Sequence, residues 1–213
     1  TGLGVISSIG VGWHAFWESL LQGRSGIGPV TGFDTHDQFT HNGGEVKGFR
    51  PEEFIDPARL SGLSRASQMA LAAAKLAVRD ADLQESAGLA RSGAVCVGTN
   101  IGSLQSVEQI DEIIVRKRTY AIDRQLLAQV PTNTTAAVIA REFGFTGPAL
   151  MFSTACAAGN YAIGYGYDLI RNGQADLVLA GGSDAFSKVA FTGFNQFKAV
   201  APEKCQPFDL HRK

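Results

Sequence analysis

A chain of 213 residues that is 45% hydrophobic and 9% aromatic carries ample apolar material for one packed domain, which excludes a disordered tail. The net charge of −1 excludes a global basic field of the kind that attracts nucleic acid or an anionic membrane. No apolar stretch approaches the roughly 18 residues that span a bilayer and no signal peptide is visible, so we expect no membrane segment.

The first part of the chain predicts helices joined by glycine-rich segments. Thr1–Ile6 reads as the end of a strand, and because the last residues also lack a terminating signal, we expect a fragment of a longer protein. An apolar stripe predicts a helix within Gly10–Gly23, and the alanine-rich stretch Ser64–Asp82 predicts another. Residues 24–60, rich in Gly, Pro, Thr and His, predict a long and mostly irregular excursion between them.

Strands and helices then alternate. The pattern predicts a buried strand at Ala94–Val97, a helix from Ser103 to the basic run Arg116–Arg118, a connector over 119–131 and a helix at Thr134–Phe143. The basic run complements the dipole at the helix C-terminus. A docking patch for an acidic partner is the alternative reading of the same three residues.

A βαβ unit follows, around Cys156. The predicted strand Ala149–Phe152 leads to a helix over Ala157–Asn172 and then to a second strand at Asp176–Ala180. Cys156 lies between the end of the first strand and the start of the helix, so its thiol faces the unpaired N–H groups and the positive end of that helix. Both stabilise a thiolate, which makes Cys156 a candidate nucleophile.

The predicted helix after Cys156 has an unusual composition. Small residues recur at every fourth position, and a bulkier ridge runs beside them. We expect close packing of this helix in the middle of the fold, because glycines cost up to ~1 kcal/mol each in a helix. The small positions are Ala158, Ala162 and Gly166, and the bulky ones are Ile163, Tyr167 and Ile170. Phe186–Val200, which is apolar and aromatic, is compatible with helix or loop.

Other strings and cysteines compete with Cys156 as chemical sites. Gly181–Ala185 resembles a hydrolase nucleophile elbow but lacks its final glycine. Cys96 lies inside an apolar strand and reads as a small core residue, and Cys205 has no evident activating neighbour. The three cysteines have no zinc or redox spacing, which favours a reduced, cytoplasmic setting over a disulfide framework. The four histidines lack metal-ligand spacing and read as surface or turn residues.

The small residues around Cys156 favour a thiolate that attacks a thioester. Such a thiolate needs little side-chain bulk around it and a backbone N–H near the oxyanion. In these residues and several others, in the same order, the chain resembles the N-terminal half of a β-ketoacyl-[acyl-carrier-protein] synthase, in the elongating synthase II-like branch that includes polyketide ketosynthases. The residues that carry the resemblance are Thr1–Gly4, Gly23–Ile27, Gly98–Gly102, Gly147-Pro148, Ser153–Gly159, Ala175-Asp176, Ala180–Gly182 and Pro207–Asp209.

The resemblance implies an α/β thiolase fold built from two similar halves and layered around a largely parallel central sheet. Residues 1–213 would form the N-terminal half, with the C-terminal half absent from this chain. It further implies that Cys156 accepts an acyl chain from acyl carrier protein and that malonyl-carrier protein then condenses with it after losing carbon dioxide. The product is a 3-oxoacyl chain two carbons longer, in fatty acid or polyketide biosynthesis, without a metal or redox cofactor.

Partners and further site residues are also implied by the resemblance. Family members are commonly cytoplasmic homodimers, or pair with a chain-length-factor subunit that lacks the cysteine, so this chain resembles the active partner. Two histidines and a lysine that serve decarboxylation belong to the absent half. Ile101 matches a residue that lines the acyl tunnel, and Gln129 falls where elongating enzymes often have an aromatic that reaches the partner's pocket. Phe194 is expected to border the pocket, and the alternative for all three residues is ordinary core or interface packing.

Two other functions are also compatible with the sequence. A thiolase-like acyltransferase that uses coenzyme A esters would share the fold and the cysteine, although the block from Thr154 to Gly159 argues against it. A non-catalytic partner subunit of a ketosynthase is the second alternative, and the presence of Cys156 argues against that.

Overall fold

The computed structural model of the chain describes residues 1–83 and 92–212, which divide into two compact units. The first unit comprises Thr1–Gly4 and Arg50–Ala185, and the second comprises Val5–Phe49 and the chain from Phe186 on. The helices are α1 Trp13–Leu21, α2 Pro57–Leu60, α3 Arg65–Asp80, α4 Leu104–Lys117, α5 Arg124–Ala128, α6 Thr134–Phe143, α7 Ala158–Arg171 and α8 Lys188–Gln196. The strands are β1 Ile6–Ser7, β2 Gly10–Val11, β3 Gly28–Pro29, β4 Asn42–Gly43, β5 Ala94–Gly98, β6 Ala149–Phe152 and β7 Val178–Gly182.

A parallel sheet in the order β6-β5-β7 forms the centre of the first unit. The middle strand β5 is buried along its whole length, as expected for an apolar strand of a parallel sheet that is covered on both faces. The chain runs from β5 to β6 on one side and then crosses to β7 on the other, so the strand order reverses at β5. In such sheets the crevice at the carboxyl ends of the strands is the usual place for a ligand.

Alternate residues of β5 face two different helical layers, because side chains along a strand point to opposite faces. Val95 and Val97 belong to one core cluster with residues of α3 and α6, including Leu71 and Ile139. Ala94 and Cys96 belong to another with residues of α7 and the turn after it, namely Ala162, Leu169 and Ala175. The first unit is therefore layered as helix, sheet and helix, which confirms the predicted α/β class with its parallel sheet.

Several predicted elements of the first unit are confirmed. The strand Ala149–Phe152 and the helix Thr134–Phe143 have the predicted bounds, and the strand at Ala94–Val97 extends by one residue to Gly98. The alanine-rich helix begins with Ser64 as its N-cap, whose hydroxyl accepts a hydrogen bond from the Ser67 amide. The last strand begins two residues later than predicted, at Val178, and also includes Gly181 and Gly182, which lie beyond the predicted strand.

Two predictions for this unit were wrong. Thr1–Ile6 does not form a strand: the first strand is only Ile6–Ser7, and it pairs antiparallel with β2. Residues 1–4 instead pack on α3, where a Cβ at Gly4 would lie 1.8 Å from the Ala73 carbonyl oxygen. The connector 119–131 also contains a helix, α5. Asp123 is its N-cap, and the Asp123 carboxylate accepts from the Gln125 amide.

The second unit contains two short antiparallel pairs, β1 with β2 and β3 with β4, together with α1 and α8. Within Phe186–Val200, for which the sequence was compatible with helix or loop, Lys188–Gln196 form α8 with Ser187 as the N-cap. The rings of Phe33 and Phe186 stack inside this unit, and Phe191 packs against both at steeper angles. Within the described residues, no helix is both long and apolar enough to cross a membrane.

Candidate active site

Cys156 lies on the turn that joins β6 to α7. Its side chain is exposed, in a single 3₁₀ turn, Ala155–Ala157, that leads directly into the helix. Ala155 has a φ of 52°, in the left-handed region that costs a residue with a Cβ roughly 1–2 kcal/mol. This strained backbone makes the change from strand to helix abrupt, so the thiol is presented at the end of the strand as the sequence predicted.

The amides next to the thiol are partly engaged within the turn. The Ala157 N–H donates to the Thr154 carbonyl at 3.3 Å, and the Ala158 N–H donates to the Ala155 carbonyl. The sequence predicts that Cys156 faces unpaired N–H groups at the start of the helix. These two amides, however, already have acceptors in the 3₁₀ turn.

The carboxyl ends of β5, β6 and β7 meet at one edge of the sheet, which we call the carboxyl edge. The Ser183 N–H donates to the Gly98 carbonyl at 3.0 Å, and the Thr99 N–H donates to the Phe152 carbonyl at 2.9 Å. The start of α7 packs directly on this edge, because a Cβ at Gly98 would lie 2.3 Å from the Ala158 carbonyl carbon and 2.5 Å from the Gly159 nitrogen. Only glycine permits this approach, which places the turn of Cys156 on the sheet.

Asp184 holds the loop that follows β5. Its Oδ1 accepts from the Thr99 hydroxyl at 2.6 Å and from the backbone N–H groups of Asn100 and Ile101 at 3.0 and 2.9 Å. The Gly102 N–H lies at 3.3 Å from the same oxygen and at 2.7 Å from the Thr99 hydroxyl, to which it also donates. One carboxylate thus binds the whole turn 99–102, whose backbone amides converge on an anion.

Sequence reasoning missed Asp184. In the sequence, Gly181–Ala185 shows only a resemblance to a nucleophile elbow that lacks its final glycine. The available signal was an acidic residue directly after a strand, where the carboxyl ends of parallel strands place it beside the loops of the neighbouring strands.

The other predicted site residues lie on different elements. Ile101 is on the turn bound by Asp184 and is partly buried. Gln129, which follows α5, is held by its own chain: its Oε1 accepts from the Ser106 hydroxyl and its Nε2 donates to the Ser61 carbonyl, both at 2.8 Å. Phe194 is on α8 of the second unit, with 46% of its surface exposed. The structure brings Ile101 and Cys156 to the same carboxyl edge, and the roles of Ile101, Gln129 and Phe194 in binding substrate stay predictions.

The three cysteines differ sharply in their surroundings. Cys96 is fully buried on β5, and burial raises the pKa of its thiol, so it is the core residue that the sequence predicted. Cys156 and Cys205 are exposed. Among the residues that the structure describes, no three His, Cys, Asp or Glu side chains are grouped so as to hold a metal ion.

Helix α7 presents two contrasting faces. The small residues at every fourth position, Ala158, Ala162 and Gly166, are buried together with Leu169, as the predicted stripe requires. The bulky ridge is exposed, so within this chain the helix is not packed on all sides as expected: Ile163, Tyr167 and Ile170 expose 56%, 62% and 49% of their surface. Small residues therefore pack on the sheet, and a wide apolar face points outward.

Comparison with known proteins identifies the family of this chain. The model of the β-ketoacyl synthase N-terminal domain matches residues 1–212. The chain belongs to the β-ketoacyl synthase family. As a β-ketoacyl synthase N-terminal domain, it is 33% identical to 3-oxoacyl-[acyl-carrier-protein] synthase 2 of Synechocystis sp., with 100% of this chain and 51% of that protein covered.

Another relative is 3-oxoacyl-[acyl-carrier-protein] synthase 2 of Staphylococcus aureus, at 29% identity over 100% of this chain and 54% of that protein. Among solved structures, the ishigamide ketosynthase/chain length factor superposes with a TM-score of 0.94 at 40% identity, covering 100% of this chain and 53% of that chain. A type II polyketide ketosynthase in complex with its acyl-carrier protein has a TM-score of 0.83 at 26% identity, covering 100% and 53%. These likenesses confirm the predicted thiolase-type fold, and the chain spans about half the length of the relatives that it matches.

Proposed function

We propose that Cys156 is the acyl-accepting nucleophile of a β-ketoacyl-[acyl-carrier-protein] synthase. The observation that carries the proposal is the exposed thiol of Cys156 on a strained strand-to-helix turn, within a chain that matches the synthase N-terminal domain along its length. A nucleophile in such a turn stands clear of the backbone, so a thioester carbonyl can approach its sulfur. The enzyme is an acyltransferase, with acyl carrier protein as the donor.

The reaction proceeds in two transfers on the same sulfur. The Cys156 thiolate attacks the carbonyl carbon of an acyl thioester on carrier protein, the carrier thiol leaves, and the acyl chain remains on Cys156. A malonyl thioester on a second carrier protein loses carbon dioxide, and its enolate carbon attacks the acyl carbonyl on Cys156. The new carbon–carbon bond gives a 3-oxoacyl-carrier protein, and the Cys156 thiolate is released.

The remaining half of the synthase would supply the decarboxylation residues, and the outward face of α7 is the surface that it would cover. Ile163, Tyr167 and Ile170 form an apolar ridge on the helix that begins beside Cys156. Apolar ridges of this kind mark a surface that is buried against protein. The matched relatives are about twice as long as this chain, so a second half of similar size accounts for this face. The domain assignment is therefore residues 1–213 as the N-terminal half.

The proposed partners follow from the same family. One solved relative is a ketosynthase in complex with its acyl-carrier protein, and another is a ketosynthase/chain length factor. We assign acyl carrier protein as the substrate carrier, with a homodimer or a heterodimer with a chain-length factor as the assembly. In a heterodimer this chain would be the active partner, because it carries Cys156. The proposed location is the cytoplasm, where carrier proteins and reduced thiols coexist.

Acylation of Cys156 tests the proposal directly. The protein in its full natural length is incubated with acyl-carrier protein and digested, and the adduct is located by mass spectrometry. We expect an acyl group on Cys156 that is absent in Cys156→Ala and retained in Cys205→Ala, a matched control because Cys205 is equally an exposed cysteine. Labelling of Cys205 or Cys96 instead would contradict the assignment, and acylation by acyl-coenzyme A but not by carrier protein would favour a thiolase-like enzyme.

The 213-residue chain alone should stop after the first transfer. It contains the nucleophile, whereas the histidines and lysine of decarboxylation belong to the other half. We expect no 3-oxoacyl product when the isolated chain is mixed with acyl- and malonyl-carrier protein, as measured by mass spectrometry of the carrier. Formation of that product would show that the second half is not required.

A further inference from the structure

The carboxylate of Asp184 accepts hydrogen bonds from four donors of a single turn. It accepts from the Thr99 hydroxyl and from three successive backbone amides, of Asn100, Ile101 and Gly102, at 2.6 to 3.3 Å. Asp184 is exposed and belongs to neither core cluster, so its contribution is to these hydrogen bonds and not to apolar packing. Removal of the carboxylate would leave all four donors without their anion.

The turn that Asp184 binds is attached to the strand that delivers Cys156. The Thr99 N–H donates to the carbonyl of Phe152, the last residue of β6, at 2.9 Å. On its other side the turn leads into Ser103, whose hydroxyl donates to the buried hydroxyl of Ser64 at 3.0 Å. The turn is thus fixed at both ends, and Asp184 fixes its middle, where Ile101 lies.

We infer that Asp184 is a positioning residue that sets which acyl chains Cys156 accepts, by fixing the turn 99–102 and with it the side chain of Ile101. The inference rests on the proposed function and on the proposed contact of Ile101 with the acyl chain. Because the Ile101 amide itself donates to Asp184, a change at Asp184 moves the backbone of the residue that meets the substrate. A small displacement of one apolar side chain in a binding site alters the relative rates of substrates that differ in length.

The chain offers a matched control at the other end of the same strand. Asp176 precedes β7, is exposed, and accepts from the Ser92 hydroxyl at 2.5 Å. Asp176→Asn makes the same chemical change as Asp184→Asn, but at the amino end of β7. A general loss of charge or stability would affect both variants, whereas positioning of Ile101 would affect only Asp184→Asn.

The experiment measures the rate of Cys156 acylation in the full-length protein with carrier protein that bears a short, a medium or a long saturated acyl chain. We expect Asp184→Asn to change the ratio of the rates for short and long chains by about tenfold, the size of effect that an altered apolar contact produces. Asp176→Asn should leave that ratio within about twofold. Equal slowing of all three chains in Asp184→Asn would indicate a purely structural role and would overturn the inference.

A double variant shows whether Asp184 acts through Ile101. Ile101→Ala alone should shift the same ratio, and adding Asp184→Asn to it should change the ratio by less than about twofold, because the two residues would act as one unit. Independent, multiplying effects would overturn the inference. If Asp184→Asn does not fold, Thr99→Val removes one donor to the carboxylate and one acceptor of the Gly102 amide, and it should shift the ratio in the same direction.

The failure of the two proposals can be told apart. If the unaltered protein forms no acyl adduct on Cys156, the proposed function is wrong and this inference falls with it. If the adduct forms normally and the chain-length ratio is the same in Asp184→Asn, only the inference about Asp184 is wrong.

Discussion

The two edges of the parallel sheet share closely packed glycines, but they differ in their acidic residues and in backbone strain. At the amino edge, where the strands begin, the Gly147 N–H donates to the Gly93 carbonyl, and a Cβ at Gly147 would lie 2.6 Å from that oxygen. At the carboxyl edge, a Cβ at Gly98 would lie 2.3 Å from the backbone of α7. Close glycine packing is therefore common to both edges and does not by itself mark a functional site.

The acidic residues on either side of β7 show the difference. Among the described residues, Asp176 at the amino edge accepts from the Ser92 hydroxyl, whereas Asp184 at the carboxyl edge binds a whole turn. The carboxyl edge also carries the left-handed Ala155 and the exposed Cys156. Strain and converging donors are found together with the reactive group at the edge where chemistry is proposed, as is common for functional sites.

The largest expected effect is a difference in alkylation rate between the thiol of Cys156, at the carboxyl edge, and that of Cys96, in the interior of the sheet. Cys156 should react quickly with iodoacetamide in the folded protein because it is exposed. Cys96 should react at least about 100-fold more slowly, since burial raises its pKa and its exposure requires opening of the sheet. Peptide mass spectrometry over time measures both rates, with the exposed Cys205 as a reference. Comparable rates for Cys96 and Cys156 would contradict the placement of Cys96 in the core.

Alanine at the edge glycines tests the packing of each edge. Gly98→Ala and Gly147→Ala should each lower the free energy of unfolding by about 3 kcal/mol, because the new Cβ meets backbone atoms that cannot move aside. Gly181→Ala, whose Cβ would meet no atom within 4 Å, should change it by less than about 0.5 kcal/mol. Urea unfolding measures these values.

The same two variants should differ in their effect on the reactivity of Cys156. In protein that remains folded, Gly98→Ala should also slow alkylation of Cys156, since the displaced backbone belongs to the start of α7. Gly147→Ala should leave Cys156 as reactive as before. Equal effects on Cys156 would mean that the two edges are coupled through the sheet and are not distinct regions.

A smaller effect concerns the helices beside the amino edge. Glu142, in the last turn of α6, pairs with Lys75 of α3 and accepts from Arg59 of α2 at 2.7 Å. Burial opposes ionisation of Glu142, but the hydrogen bonds and charges of Lys75 and Arg59 outweigh it and hold the pKa of this carboxyl below its ordinary value of 4.5. Glu142→Gln should lower the free energy of unfolding by about 2 kcal/mol at pH 7.

The sign of the pH dependence follows from the lowered pKa. The folded protein favours the ionised form, so the stabilisation is present above the ordinary pKa of 4.5 and is lost as the pH falls through the lower folded value. The difference in free energy of unfolding between Glu142→Gln and the unaltered protein should therefore shrink as the pH falls below about 4.5, as measured by urea unfolding. Glu112→Gln, which removes an exposed pair with Arg116, should cost less than about 1 kcal/mol at any pH. If the loss of unfolding free energy in Glu142→Gln stayed constant down to low pH, an ion pair at Glu142 would be contradicted.

Local patterns predicted the elements whose ends carry their own signals. The strand Ala149–Phe152 follows the turn Gly147-Pro148, and the helix Thr134–Phe143 ends at Gly144, which has a φ of 66°. Glycine and proline act on their neighbours directly, so these bounds need no tertiary information. Phe186–Val200 lacked such a stop signal, and whether it formed helix or loop depended on the cap that Ser187 supplies and on aromatic packing with Phe33.

The sequence by itself determined the family and singled out the proposed nucleophile, because the block Ser153–Gly159 is continuous and its chemistry is local. Only the tertiary structure decided how Asp184 is used. Asp184 and Thr99 are 85 positions apart, and they meet because the parallel register pairs Gly98 with Gly182. Likewise, the small stripe and the bulky ridge of α7 are both visible in the sequence, but the contacts with the sheet decide that the stripe is buried and the ridge is exposed. Such choices depend on residues distant in the chain, whose pairing no local pattern specifies.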